Sequence, residues 1–414
     1  MEFVTESRFT SEFFAGNRQR LRELFTGTAP IVITANGLLQ KGGDNTFAFA
    51  QDANFWYLTG IDEPDVILVM DRDKEYLIVP ELSQVQRTFD GAIVDEALSR
   101  RSGIDKVYSD KAGWEQLAGR LKKVKHAATV APAPGYIDDL GFYTNPARAR
   151  LVQRMKTENE AVELLDLAPH LSRLRMIKQP EELAAIQAAI DITNQTLKEI
   201  LAARKLAGYG HEYEVEAELT RGFRRRASDH AFTPIVASGE RACTIHYLAN
   251  NGSLAADELL LLDVGAEVEH YAADLARTVA VSTPTRRQQT IYEAVADVQA
   301  FAIDLLKPGT LLKEYEASVE HYMGEKLREL GLIKTISHEN VRHYFPHATS
   351  HFLGLNVHDV GDYNRPLEPD VVLTVEPGIY IPEEAIGVRI EDDILITPQG
   401  NKILSNSPLR KLSS

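Results

Sequence analysis

Of the chain's 12 histidines, five fall between His338 and His358, at 338, 343, 347, 351 and 358. An isolated histidine is ordinarily a surface or satisfied core residue, and His126, His170, His211, His230 and His321 read that way. The run HATSHFLGLNVHDV is denser. It is not a zincin helix, because His-Glu-x-x-His is absent and Gly354 interrupts any helix. In an extended chain His351 and His358 would face opposite ways unless the glycine-containing stretch bends. Carboxylates form a second concentration. Asp263 ends ELLLLD, Asp274 lies in YAADLARTV, Glu376 ends VVLTVE, and Glu391 lies in VRIEDD. An ionised carboxylate beside apolar strands is costly unless paired or metal-bound. Asp263 and Asp274 flank a turn around Gly265–Glu269, and Glu376 and Glu391 flank one around Pro382–Gly387. Two hairpins would therefore bring four acids to one place, and like charges that close need cations to stay ionised. An oxygen-rich nest with one or more histidines suits Mn, Co or Fe, and two ions could share bridging carboxylates. Taken singly, each acid reads as turn chemistry, and Asp392-Asp393 as a solvated edge. Taken together with the histidines, they favour metal.

Other chemistries lack their residues. There is no Gly-rich phosphate loop and no G-x-S-x-G elbow. Cys243 and His246 are three apart, on opposite faces of a strand, so Cys243 reads as a small buried apolar residue. Arg389 and Glu391 share a strand face, where the arginine either fixes the carboxylate or reaches substrate.

The elements that must position these groups fall into two organisations. The first alternates helix and strand: a helix over FTSEFFAGNRQRLRELF, then β-type runs IVITANG, FWYLTG, DVILVMD and EYLIVP. A helix around Trp114–Val124, a strand HAATVAP, an irregular YIDDLGFYTNPARARLVQRMK and a helix at VELLDLAPHLSRL follow. The second opens at Lys178-Gln179-Pro180-Glu181-Glu182, where proline and two acids suit a helix's first turn. That helix should run to about Ala207, and another from Glu212 to Ala227. Extended runs FTPIVAS, ACTIHYLA, ELLLLDVGAEV and HYAADLARTVAV come next. Helices Gln288–Leu306 and Leu312–Leu330 then precede SHFLGLNVHDV, DVVLTVEPGIYI and GVRIEDDILIT, all read as extended. Two helices followed by strands, twice over, predict duplicated halves.

Composition bounds the rest. The 414 residues are 44% hydrophobic with 18 Pro and 26 Gly, which fits two globular domains and excludes collagen-like or low-complexity chains. A net charge of −15 disfavours nucleic acid or an anionic membrane as the main partner, although Arg224-Arg225-Arg226 is a local basic run. One cysteine excludes an intrachain disulfide framework and a cysteine-based zinc cluster. The opening MEFVTESRFT has no signal-peptide pattern, and no apolar stretch approaches the ~18 residues of a membrane span, so a cytoplasmic location is expected.

At these residues the sequence resembles the pita-bread-fold metallopeptidases, most closely the Xaa-Pro aminopeptidase and prolidase branch. FWYLTGIDEPDVILV is similar to that family's N-terminal domain. LLLLDVGAE, ADLARTV, HATSHFLGLNVHDVG, TVEPGIY and GVRIEDD are similar, in order, to its catalytic domain. The resemblance implies an α/β domain over 1–172 and an α+β pita-bread catalytic domain over 173–414. It implies two divalent ions, Mn(II) first with Co, Zn or Fe as alternatives, on Asp263, Asp274, His351, Glu376 and Glu391. Asp274 and Glu391 would bridge, Asp263 would chelate one ion, and His351 with Glu376 would complete the other. His246, His347, His358 and Arg389 match further active-site positions, and Glu376 is the implied proton acceptor. The implied reaction removes an N-terminal residue preceding proline, with peptides as partners and a homodimer or homotetramer as the assembly. The short interval from His351 to Glu376 bears on substrate length. A Xaa-Pro dipeptidase with the same metals is the nearest alternative. A non-catalytic peptide- or protein-binding module is a lower one, because metal-free relatives lack the full ligand set that this chain retains.

Overall fold

The computed structural model describes residues 7–405 except 73, 133–136 and 138–139, together with residue 412. The chain divides into two compact units, Met1–Leu174 and Arg175–Ser414.

In the first unit a six-stranded mixed sheet runs in the order Val107–Ser109, Lys74–Val79, Ile67–Asp71, Ile31–Thr34, His126–Thr129, Glu163–Asp166. The central strands are apolar on both faces. Val32, Val69 and Ile78 pack with Trp114, Leu117 and Leu121 of helix Asp110–Leu121 and with Leu151 and Met155 of helix Ala147–Glu158. Three expectations are corrected. FWYLTG is not a strand: Ala53–Thr59 is a helix, because Asp52 caps it by accepting from Asn54 N and Phe55 N, and left-handed Gly60 ends it. The segment read as irregular contains helix Ala147–Glu158, while its residues 136, 138 and 139 lie outside the described residues. VELLDLAPHL begins as strand Glu163–Asp166, paired in parallel with His126–Thr129, and becomes helical only from Ala168.

The second unit repeats one pattern. Helices Pro180–Ile200 and Glu212–Arg224 accompany a three-stranded antiparallel sheet of Ile235–Ser238, Leu259–Val264 and Leu275–Ala280. Helices Arg286–Leu305 and Leu312–Glu329 accompany a second one, of Val372–Val375, Asp392–Thr397 and Gly400–Ile403. This is the predicted duplication of element order. The helix from Pro180 ends at Ile200 rather than Ala207, with only a short turn at Ala203–Leu206 beyond. The basic run closes helix Glu212–Arg224 as a paired surface: Arg225 and Arg226 meet Glu199, and Arg224 meets Asp229. Two extended readings fail. ACTIHYLA begins in a 3-10 turn, Gly239–Cys243, and SHFLGLNVHDV is a loop tied to the sheet by one bridge, Phe352 to Leu373. No helix among the described residues is long and apolar enough to cross a membrane.

Candidate metal centre

Strand register delivers the acids. In the first half, Leu259–Val264 pairs antiparallel with Leu275–Ala280, Val264 opposite Leu275, so Asp263 and Asp274 lie at the same end of the pair. The connection folds tightly there. A Cβ on Gly265 would sit 1.7 Å from the Ala273 carbonyl oxygen, so only glycine fits. In the second half the hairpin is interrupted. Val375 pairs with Asp392 and Gly378 with Arg389, leaving Glu376 and Glu391 at the seam between two short ladders. Gln299, from helix Arg286–Leu305, reaches that seam. Its Nε2 faces the Val375 carbonyl at 3.4 Å, the Ile390 carbonyl at 3.2 Å and Asp392 Oδ2 at 3.0 Å. Buried Arg277 donates to the Glu391 carbonyl and, at 2.8 Å, to Asp392 Oδ1. Glu391 N closes the join by donating to the Ala276 carbonyl at 3.0 Å, linking the two halves of the unit.

The histidine loop enters from the side. Glu376 N donates to the Thr349 carbonyl at 2.9 Å, and Thr374 N to that of His351 at 3.0 Å. From helix Leu312–Glu329, Glu316 accepts from Thr349 N at 3.0 Å and Ser350 N at 3.1 Å. The glycine-containing stretch bends, and the His351 and His358 rings end 4.4 Å apart between centroids. All nine residues singled out from sequence line one cavity of about 640 Å³: His246, Asp263, Asp274, His347, His351, His358, Glu376, Arg389 and Glu391. Phe232, Ile245, Leu248 and Tyr363 supply apolar wall.

Three donors within the cavity lie close enough together to hold a cation. Asp274, His351 and Glu391 each offer a ligand atom, all within 4.8 Å of one another. His351 Nδ1 lies 3.1 Å from the Phe352 carbonyl, an acceptor, so Nδ1 carries the proton and Nε2 presents a lone pair. That Nε2 faces Asp274 Oδ2 and Glu376 Oε1, each at 3.5 Å. Burial and the neighbouring His358 hold the His351 imidazole down to about 4, so it is neutral at pH 7 and supplies no proton to the acids. One oxygen each of Asp263 and Asp274, and both of Glu391, are buried without a hydrogen-bond partner. Orphaned acceptors around a neutral imidazole fit a divalent ion. Burial and repulsion from neighbouring carboxylates raise Asp274 and Glu391 well above the usual carboxylate range. Burial pushes Glu376 up to about 8 against the pull of Arg389.

A second chain of contacts runs along the cavity wall. Arg389 donates to Asp263 Oδ2 at 2.5 Å and to the Tyr380 hydroxyl at 2.8 Å. His347 Nδ1 lies 2.9 Å from the Ala348 carbonyl, so its Nε2 accepts from Tyr380 at 2.7 Å. Tyr380 is the contact in this wall that the sequence did not single out. Its only signal was a polar tip in a fully buried strand. Cys243, by contrast, stands apart: Sγ donates to the Ile386 carbonyl at 3.4 Å, and burial pushes the thiol up to about 11, far from a nucleophile's range.

Comparison with known proteins gives this arrangement its family. A profile of Metallopeptidase family M24 matches residues 184–398, and one of Aminopeptidase P, N-terminal domain, matches residues 14–130. The chain belongs to metallopeptidase family M24. Among its M24 relatives, Xaa-Pro aminopeptidase of Haemophilus influenzae is 32% identical over 98% of this chain and 96% of that protein. Human Xaa-Pro aminopeptidase 3 is 33% identical over 91% of this chain and 78% of its own length. Aminopeptidase P of Escherichia coli in its low-pH form superposes with a TM-score of 0.83 at 30% identity, covering 96% of this chain and 95% of that one. The M24 segment coincides with the duplicated unit that carries every acid of the cavity, and the fold is the pita-bread fold preceded by an α/β unit.

Proposed function

We propose that this M24 chain is a Xaa-Pro aminopeptidase with a dinuclear centre on Asp263, Asp274, His351, Glu376 and Glu391. The observation that carries the metal assignment is the lone pair of His351 Nε2 directed at carboxylate oxygens 3.5 Å away, beside acids whose own oxygens are orphaned. Its relatives' shared activity supports the substrate class. Divalent ions held there supply Lewis acidity, lowering the pKa of water and polarising the scissile carbonyl. Mn(II) is our first assignment, since the donors are oxygen apart from one imidazole.

The chain's own residues do the rest. Glu376, with one oxygen toward His351 and the other 3.7 Å from His347 Nδ1, takes the proton of the attacking water in this reading. His246 and His358 line the same cavity and donate to the substrate and its developing oxyanion. Arg389 orients Asp263 and, through Tyr380, His347. Proline after the scissile bond removes an N–H, so recognition falls to the shape of the apolar wall. Metal-reconstituted protein should release the first residue of an Xaa-Pro-Xaa tripeptide, with a Mn, Co, Zn and Fe series ranking the ions. Release from Xaa-Pro dipeptides alone would make it a dipeptidase. No release with any ion would sink the reading.

A further inference from the structure

The segment Lys178–Glu182, legible in sequence only as a helix start, holds buried charges that the reaction does not use. Arg175 and Lys178 are 2% and 3% exposed, and both point at Asp359, 7% exposed. Arg175 Nη2 donates to Asp359 Oδ1, while Lys178 Nζ lies 3.7 Å from Oδ2 and makes no hydrogen bond. Glu182 attracts Lys178 electrostatically, and its hydrogen bonds go to Gln179 N at 2.9 Å and the Tyr271 hydroxyl at 2.8 Å. Burying charges in this way is a poor means of stabilising a fold, since desolvation offsets the attraction.

The cluster's place in the loop gives it another use. Asp359 follows His358 directly, and the two side chains part: the carboxylate backs onto Arg175 and Lys178 while the imidazole lines the cavity. Asp359 N donates to the Phe352 carbonyl at 2.8 Å, closing the loop between them. Gly354 completes the fit. A Cβ there would lie 2.1 Å from Asp359 Oδ2 and 3.2 Å from Lys178 Cε. The His358 ring is thereby set against that of His351. We propose that Asp359, clamped by Arg175 and Lys178, is a positioning residue that fixes the His358 imidazole in the cavity. The inference rests on the peptidase reading, in which His358 meets substrate.

A double-mutant cycle tests it. Wild type, Asp359→Asn, His358→Ala and the double variant are loaded with Mn(II), checked for metal content and melting temperature, and assayed on an Xaa-Pro-Xaa tripeptide. Asp359→Asn should lower kcat/KM about 10- to 100-fold with metal content unchanged. In the His358→Ala background the same substitution should cost less than about 2-fold, because its effect passes through the missing ring. Lys178→Met, which leaves the Arg175 contact in place, should show a smaller loss with the same non-additivity, and it serves if Asp359→Asn does not fold. In metal-free protein the His358 imidazole NMR signals should shift in either variant while those of His347 stay. Equal fold-losses in both backgrounds, or unmoved His358 signals, overturn the proposal. If wild type releases nothing, the peptidase reading falls, and the NMR comparison alone decides the placement of His358.

Discussion

Asp274 and Glu391 face a spot where the described residues supply no donor: one oxygen of the first and both of the second are buried and unpartnered. A protein holding like charges this way spends stability on function, because the unloaded nest repels itself. Asp274→Asn should therefore act in two directions. Metal content and peptidase activity should collapse, the latter by about three orders of magnitude or more. Thermal melting in a chelator should rise by the equivalent of about 1–3 kcal/mol as the repulsion is relieved. A metal-free protein destabilised by Asp274→Asn would contradict the electrostatic picture. Tyr380 presents the opposite case, a neutral group that links Arg389 to His347. Tyr380→Phe should retain metal and lose about 10-fold in kcat/KM, the equivalent of one hydrogen bond to a charged or catalytic partner. Full activity would show that His347 needs no such link. The acids were legible because their type is improbable beside apolar strands and the histidines because they cluster, whereas a tyrosine on such a strand looks like core.

At the scale of elements, what positions the centre is where strands stop pairing. Glu376 and Glu391 reach the cavity because the ladder changes partners between Val375–Asp392 and Gly378–Arg389. The first hairpin uses closeness instead, at Gly265 against the Ala273 carbonyl. Gly265→Ala should cost several kcal/mol, about 3 or more, because a backbone oxygen cannot swing aside as a side-chain end could. Its metal affinity, measured by titration calorimetry on whatever fraction folds, should fall with the displaced Asp263–Asp274 pair; wild-type melting and affinity would refute the clash. Continuous apolar runs separated by turn residues made these hairpins visible in the sequence. Helix Ala53–Thr59 was not visible, since its aromatic residues favour strands and only Asp52 and Gly60 mark its ends. The histidine loop has no period at all. Its shape comes from distant partners, Glu316 at one end and Arg175 with Lys178 on Asp359, which no local pattern announces.

For the whole molecule, the centre should couple folding to pH in a way that metal reverses. Glu376, raised to about 8 by burial, keeps its proton in the folded metal-free state at pH values where the unfolded chain, titrating near 4.5, has lost it. The folded state then binds more protons, so stability falls as pH rises toward 8. Asp274 and Glu391, also raised by burial and by neighbouring carboxylates, push the same way. His347 and His351, lowered by burial to about 3 and about 4, act oppositely, but only below the unfolded histidine value of 6.5. Between pH 6.5 and 8 the carboxylates are left as the centre's titrating groups. A bound cation needs them ionised, so the stability gap between loaded and metal-free protein should widen across that window. Each proton displaced contributes up to about 1.4 kcal/mol per pH unit. Comparing the two forms at each pH cancels titrations elsewhere, Lys178 among them. Denaturant melts at pH 6.5, 7.2 and 8.0, with saturating Mn(II) and with chelator, measure the gap. A constant gap would mean that the acids enter the fold already ionised and paired, and that the orphaned oxygens are satisfied by something other than a metal.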